Sequence, residues 1–346
     1  MRGRGRRNLL APVLVLMAVA TACSGSGGAP AEKTPSAAGA TPSPAALAEP
    51  PVTLAEAERV VAGILGAQEV LSRATPRQDA DVRNLLEQTS DGQQALARVA
   101  AGGLVGTLPR YTWGRPQLLV PRAQRGSYWF AAIVNRWDRT GDTRTAVLTF
   151  KHEEKGWSLS STSLLEPGTR APEIAKDPQG YATALDSEDM TVAISPRLMA
   201  PLHATSAEEG TGGFTAGLVA EGPRTTGYAD EITDNRRRYR GEECMDYDSI
   251  FAASSYPVHA LRTVDGGAMV TYSLIRTTTV TTVLHPCATE VRVPPKDRKL
   301  AGASSANKQL RTVETQLYVS TVPARNSHRP ARVIGYLGGI TKVFAS

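Results

Sequence analysis

The apolar residues of this chain switch from a helical period to a strand period, and that switch limits the fold more than any motif does. From Thr53 onward, Leu54, Ala57, Val60, Val61, Ile64 and Leu65 fall at helical spacing. Thr53-Leu54-Ala55-Glu56 has the form of a capping box, in which the threonine oxygen and the glutamate satisfy free amides of the first turn. Further helical stretches are expected at about Asp79 to Leu86 and Gly92 to Ala101, and the Gly102-Gly103 pair ends them. Period two then takes over. Gln117 to Val120 suits an edge strand beside its prolines. Tyr128 to Trp137 puts Trp129, Ala131, Ile133 and Trp137 on one face, and Tyr128, Phe130, Ala132 and Val134 on the other. Thr143 to His152 and Trp157 to Leu165 pair across Glu153-Glu154-Lys155-Gly156.

The second half follows the same order less clearly. Asp177 to Pro201 holds weak helical stretches broken by Pro196 and Pro201, and Gly210 to Gly213 reads as a flexible turn. Pro257 to Val264 and Ala268 to Val283 are strands joined through Asp265-Gly266, a hairpin signal. Cys287 to Lys308 is an excursion, and Thr312 to Val322 and Arg332 to Phe344 complete a sheet. The expected class is α+β, with two tandem helix-plus-curved-antiparallel-sheet domains, 52–168 and 172–346, punctuated by Pro167-Gly168 and Pro172. This element order resembles the cone-shaped fold of ketosteroid isomerase and nuclear transport factor, which implies an apolar pocket on a concave face. Ser249 to Leu274, with Tyr256-Pro257-Val258-His259-Ala260-Leu261-Arg262 leading into Asp265-Gly266-Gly267-Ala268, is similar to the C-terminal part of uncharacterised actinobacterial lipoproteins, a domain of unknown function.

Ahead of the folded part, Arg2, Arg4, Arg6 and Arg7 precede the apolar run Leu9 to Ala22, which is too short to span a bilayer core of about 30 Å. Basic start, short apolar run and small residues before a cut make a signal peptide, residues 1–22. Ala20-Thr21-Ala22-Cys23 resembles the lipobox of bacterial lipoproteins. The resemblance implies a diacylglyceryl group on the Cys23 sulfur, palmitate-type lipidation and attachment to the extracytoplasmic face of the cell membrane. Arg6-Arg7-Asn8-Leu9-Leu10 also resembles a twin-arginine export signal, and the choice between that route and general secretion stays open. Residues 23–51 are Ala, Pro, Ser, Gly and Thr with scattered charges after the cysteine, a composition expected to form a disordered tether.

The formal charge of +6 belongs to the precursor; without the four signal-peptide arginines, 35 basic side chains face 33 acidic ones, a charge of +2. Neither this balance nor export fits a nucleic-acid partner. Cys244 and Cys287 remain after Cys23 is lipidated, an even number outside the cell, and are expected to form a disulfide.

The chemistry motifs are mostly absent. No Gly-x-Ser-x-Gly elbow, His-Glu-x-x-His helix, Walker loop or dinucleotide fingerprint occurs, so neither cofactor nor metal is expected and no catalytic residue is assigned. Arg236-Arg237-Arg238 with Arg240, among Asp230, Glu231, Asp234, Glu242 and Glu243, reads as a solvated mixed-charge loop; its alternative is a site for anionic lipid or wall polymer. Asp246-Tyr247-Asp248 reads as an acidic loop pinned by the disulfide, against the alternative of a calcium loop. All four tryptophans, Trp113, Trp129, Trp137 and Trp157, lie in the first half. Trp129 and Trp157 are candidates for lining a ligand pocket, with core packing as the competing reading. The function expected is a membrane-anchored, non-catalytic binding or envelope-associated module with a partner protein or wall component. The alternative is a cone-pocket enzyme or carrier for a small hydrophobic substrate.

Overall fold

The computed structural model describes residues 49–73, 79–102, 111–124, 126–138, 140–283 and 288–346. Signal peptide, Cys23, nearly all of the tether and Cys287 lie outside the described residues. Val52, fully buried, is the first residue of the core. Helix α1 (Leu54–Arg73) follows the expected cap, with Glu56 N–H donating to Thr53 Oγ1 at 3.1 Å. The glutamate does not complete the box: its Oε1 accepts instead from Trp157 Nε1 at 2.9 Å, tying the helix to the sheet. Helices α2 (Asp79–Glu87) and α3 (Asp91–Ala101) come next, then strands β1 (Thr112–Trp113), β2 (Gln117–Leu119), β3 (Trp129–Trp137), β4 (Thr143–Glu153) and β5 (Gly156–Leu165). The second half contributes α4 (Pro196–Glu209), α5 (Gly227–Glu242), β6 (Met245–Ala253), β7 (His259–Arg262) and β8 (Ala268–Thr282). The chain ends with β9 (Val291–Arg292), α6 (Arg298–Ala301), β10 (Ser305–Ala306), β11 (Gln309–Val322) and β12 (Arg332–Ala345).

The class is α+β, as expected, but the strands of the two halves join. Among the described residues one ten-stranded sheet runs β1-β3-β4-β5-β12-β11-β8-β6, with β2 also on β3 and β7 also on β8, while β9 and β10 pair separately. Every pair in it is antiparallel. The junction between the halves is short: β12 meets β5 only at Gly335↔Leu165 and Tyr336↔Leu164. Where β12 has diverged, the turn before α3 takes its place on β5, through Ser90 N–H to Leu159 O and Leu159 N–H to Gln88 O. Residues 48–346 accordingly form one compact unit, where a sheet in each half was expected.

The two faces of this sheet are filled differently. On one, Phe130, Ala132, Val134, Leu148 and Phe150 pack under α1, and Val270, Tyr272, Leu274 and Tyr318 pack under α4 and α5. On the other, Trp129, Ala131, Val147, Val319 and Met269 close on one another with Leu261, Ile174 and Ala182. That second cluster requires a curled sheet. Residues 174–184 strap its two edges together, through bridges Pro121↔Ala182 beside β2 and Ala184↔Leu261 on β7. The inner face is thus a packed core.

Two segments read as loops are regular elements. The arginine run lies on α5 and the acidic run on β6. Arg236 pairs with Asp248, and Arg240 with Asp246 at 2.7 Å. Four residues on a helix rise about 6 Å and two on a strand about 6.8 Å, so the charges stay in step along both elements. These carboxylates face arginines, and no cluster of metal-ligand type occurs among the described residues. α4 begins at Pro196, where the missing N–H is harmless, and continues through Pro201.

Candidate functional site

Trp129 and Trp157 do not share a pocket. Trp129 is on the inner face, nearly buried, with its ring stacked 4.3 Å from that of His259. One edge of it reaches a broad polar cleft with Lys151, Asp186 and Asp189. Trp157 is on the helix-covered face, edge-on to Phe130 at 5.0 Å and bonded to Glu56. Cys244 stands at φ +53°, one residue before β6. Its carbonyl accepts from Val283 N–H at 3.3 Å, just past the end of β8.

An apolar cavity lies elsewhere, beneath α2 and α3, half open to the surface, and measures about 430 Å³. Leu96, Ala97 and Ala100 of α3 form its roof at helical spacing, and Leu85 of α2 closes one side. Its floor is the diverging part of the sheet: Thr162 of β5, Leu337 to Ile340 of β12, Trp113 of β1 and Arg136 of β3. The floor strand needs glycine at 338. A Cβ there would fall 2.2 Å from the Tyr336 hydroxyl, which donates to Glu314 Oε1 at 2.5 Å.

The lining is mostly apolar, with a few polar groups set into it. Gln93 Oε1 is buried and accepts no hydrogen bond among the described residues. The guanidinium of Arg136 lies 3.7 Å over the ring of Tyr111, a second wall residue. Arg136 is cross-strand from Arg144, and no carboxylate forms an ion pair with either among the described residues. Burial is the largest cause lowering the Arg136 pKa, and Arg144 acts in the same direction. The side chain nonetheless stays charged, as arginine does at any physiological pH. The polar side chains in the described wall are Gln68, Glu69, Thr89, Gln93, Tyr111, Arg136 and Thr162, groups able to orient a bound molecule.

Two buried polar clusters flank this cavity without entering it. In the second half, His203 is fully buried, with Nε2 2.6 Å from the Arg224 carbonyl. A carbonyl only accepts, so Nε2 carries the proton and Nδ1 accepts from the Tyr272 hydroxyl at 2.9 Å. Burial pushes the His203 pKa down to about 4 and that of Tyr272 up, fixing both rings as neutral. The other cluster lies where α3 enters the sheet. There Asp91, at φ +48°, sits 3.6 Å from Lys151 Nζ, and burial raises its carboxyl pKa. Among the described residues Asp91 Oδ2, Ser161 Oγ and His259 Nε2 have no partners, around a void of about 10 Å³. That space is the size of one water, so the cluster reads as a hydration site.

Sequence reasoning found neither Trp113 nor Arg136 as pocket residues. The one signal was the symmetry of Arg136 and Arg144 about the Asp138–Asp142 turn, which sets two like charges opposite each other.

A family profile described as a domain of unknown function (DUF8094) matches residues 48–343. An uncharacterized lipoprotein of Streptomyces coelicolor is 27% identical over 352 residues, covering 95% of this chain and 91% of the relative. No solved structure matches the chain, and the likeness to the cone fold rests on element order alone.

Proposed function

The chain belongs to the DUF8094 family, and we propose that it is a lipoprotein of the extracytoplasmic membrane face that binds a small apolar ligand without catalysis. The cavity of about 430 Å³ under α2 and α3 carries this reading. Its size is that of a small-molecule site, and its wall holds orienting groups without a catalytic constellation. The anchor is supported by Arg2 to Arg7, the apolar run and Cys23, and by the lipoprotein relative. Lipid on Cys23 would keep the cavity close to a membrane, where apolar ligands concentrate. A Cys244–Cys287 bridge belongs to the same reading of an exported protein. It is supported by the antiparallel pairing of β6 with β8, which brings Cys244 to the strand end from which the chain runs on to Cys287.

Trp113 lines the cavity, so tryptophan emission reports on its occupancy. Titration with a panel of hydrophobic small molecules is expected to change the emission saturably and to raise the melting temperature by mass action. Trp113→Phe should remove much of the emission change and leave the thermal shift. A flat response to the whole panel in both measurements would refute the reading. The anchor is tested separately: Cys23→Ala should abolish incorporation of labelled palmitate, and uptake equal to wild type would refute lipidation at that residue.

A further inference from the structure

The cavity has a charged end, and that end narrows the class of ligand. Arg136 and Arg144 are opposite each other on neighbouring strands, an arrangement that like charges destabilise. Arg144 is held by donating from Nε and Nη2 to the Leu165 carbonyl, at 3.1 and 2.7 Å. Among the described residues Arg136 makes no ion pair and stacks on the face of Tyr111, with Asp138 and Asp142 acting on it only at longer range. A guanidinium stacked on a ring keeps its N–H edge free, and that fork matches a carboxylate in two parallel bonds. Glu69 of α1 also lines the cavity. Leu96, Ala97 and Ala100 of the roof, with Leu337 and Ile340 below, present hydrocarbon, and Gln93 is set among them.

Resting on the cavity reading above, we propose that the ligand is a single-chain carboxylate, a medium-length fatty acid whose head meets Arg136 and whose tail fills the space beneath α3. The volume sets the length. At about 30 Å³ for each water-sized group, 430 Å³ takes roughly a dozen non-hydrogen atoms, and decanoate is of that size. The negative head offsets two neighbouring positive charges, and its burial beside Arg136 keeps that attraction from being screened as a surface pair would be.

The test uses the full chain carrying Cys23→Ala, so that no attached lipid competes, and compares decanoate with 1-decanol by calorimetry. The expected result is at least a tenfold preference for decanoate at low salt. Arg136→Gln should abolish that preference and still bind 1-decanol, which shows that the cavity is intact, and Arg136→Lys should restore part of it. Equal affinity for the acid and the alcohol in the parent chain would overturn the proposal and leave the apolar cavity reading standing. A decanoate preference undiminished in Arg136→Gln would overturn it equally. If neither compound binds saturably, both readings fall together.

Discussion

Trp129 stacks on His259 with ring centres 4.3 Å apart, although their strands, β3 and β7, are six steps apart in sheet order. At about 4.8 Å per step a flat sheet would hold them nearly 30 Å apart. Their contact therefore measures the curl directly, and the strap from 174 to 184 holds it. Trp129→Ala should lose about 3–5 kcal/mol of unfolding free energy, the range for deleting a large buried aromatic. Urea unfolding reads this out. A loss below 1 kcal/mol would show that the curl does not depend on the pair.

Acid should weaken the fold in a defined window. Burial lowers the pKa of His203 to about 4, and burial together with Lys151 does the same for His259. Unfolded histidine titrates near 6.5. Above that value both states are neutral and the stability is fully present; as pH falls from 6.5 to 4 only the unfolded chain takes up the proton, so stability is lost. For His203, fully buried, the loss is on the order of 3 kcal/mol. Chemical denaturation at pH 7 and pH 4.5 should differ accordingly, and His203→Gln should flatten part of that dependence. An identical pH slope in the variant would contradict the assignment.

Much of the fold was legible, because the strands with one face on each core alternate strictly. The Trp129–Ala131–Ile133 and Phe130–Ala132–Val134 faces lie on the inner and helix-covered clusters as their spacing predicts. The Asp265-Gly266 hairpin is present, with Gly266 at φ +81°. α5 was illegible because its burial rests on Tyr228 and Ile232 alone, and the rest of the helix is held by charges. β6 alternates buried Met245, Tyr247 and Ser249 with exposed Asp246 and Asp248, a pattern that looks like an acidic loop until its arginine partners are in place. The union of the halves was hidden for a different reason. Two residue pairs between β5 and β12 leave no periodic signal, since they depend on which strands meet and not on how each is built. The cavity follows from that junction, so its residues were equally unreadable.

The junction itself is sensitive to one methyl group. A Cβ on Gly335 would lie 2.9 Å from the Leu164 carbonyl oxygen and 2.8 Å from Val319 Cγ1. Backbone cannot give way as a flexible side chain can. Gly335→Ala should destabilise by about 1–3 kcal/mol, the range for an overpacked site, visible as a lower melting temperature. Gly63→Ala on α1, where nothing lies within 4 Å, is the control and should be neutral or stabilising. Equal effects at the two positions would argue against a tight junction.

For the cysteines, non-reducing peptide mapping of the purified protein is expected to recover Cys244 and Cys287 in one linked fragment. Closing a loop of that length is worth about 4 kcal/mol in the chain-entropy description, so Cys244→Ser should lower stability by a few kcal/mol. Two free thiols in the folded protein would rule out the bridge.

Strand order also has a consequence for how the molecule is made. Among the described strands β12 is the last in sequence, yet it sits in the middle of the sheet, between β5 and β11. Until residues 332–345 arrive, β5 lacks its partner at Leu164 and Leu165 and β11 has one neighbour only, the kind of exposed backbone on which chains aggregate. The first half therefore has no finished sheet to fold into while translation continues, and completion waits on the final fourteen residues of β12. Ending the chain at Pro330 should leave no soluble folded protein, as judged by protease resistance, whereas trimming Ala345 and Ser346 should be tolerated.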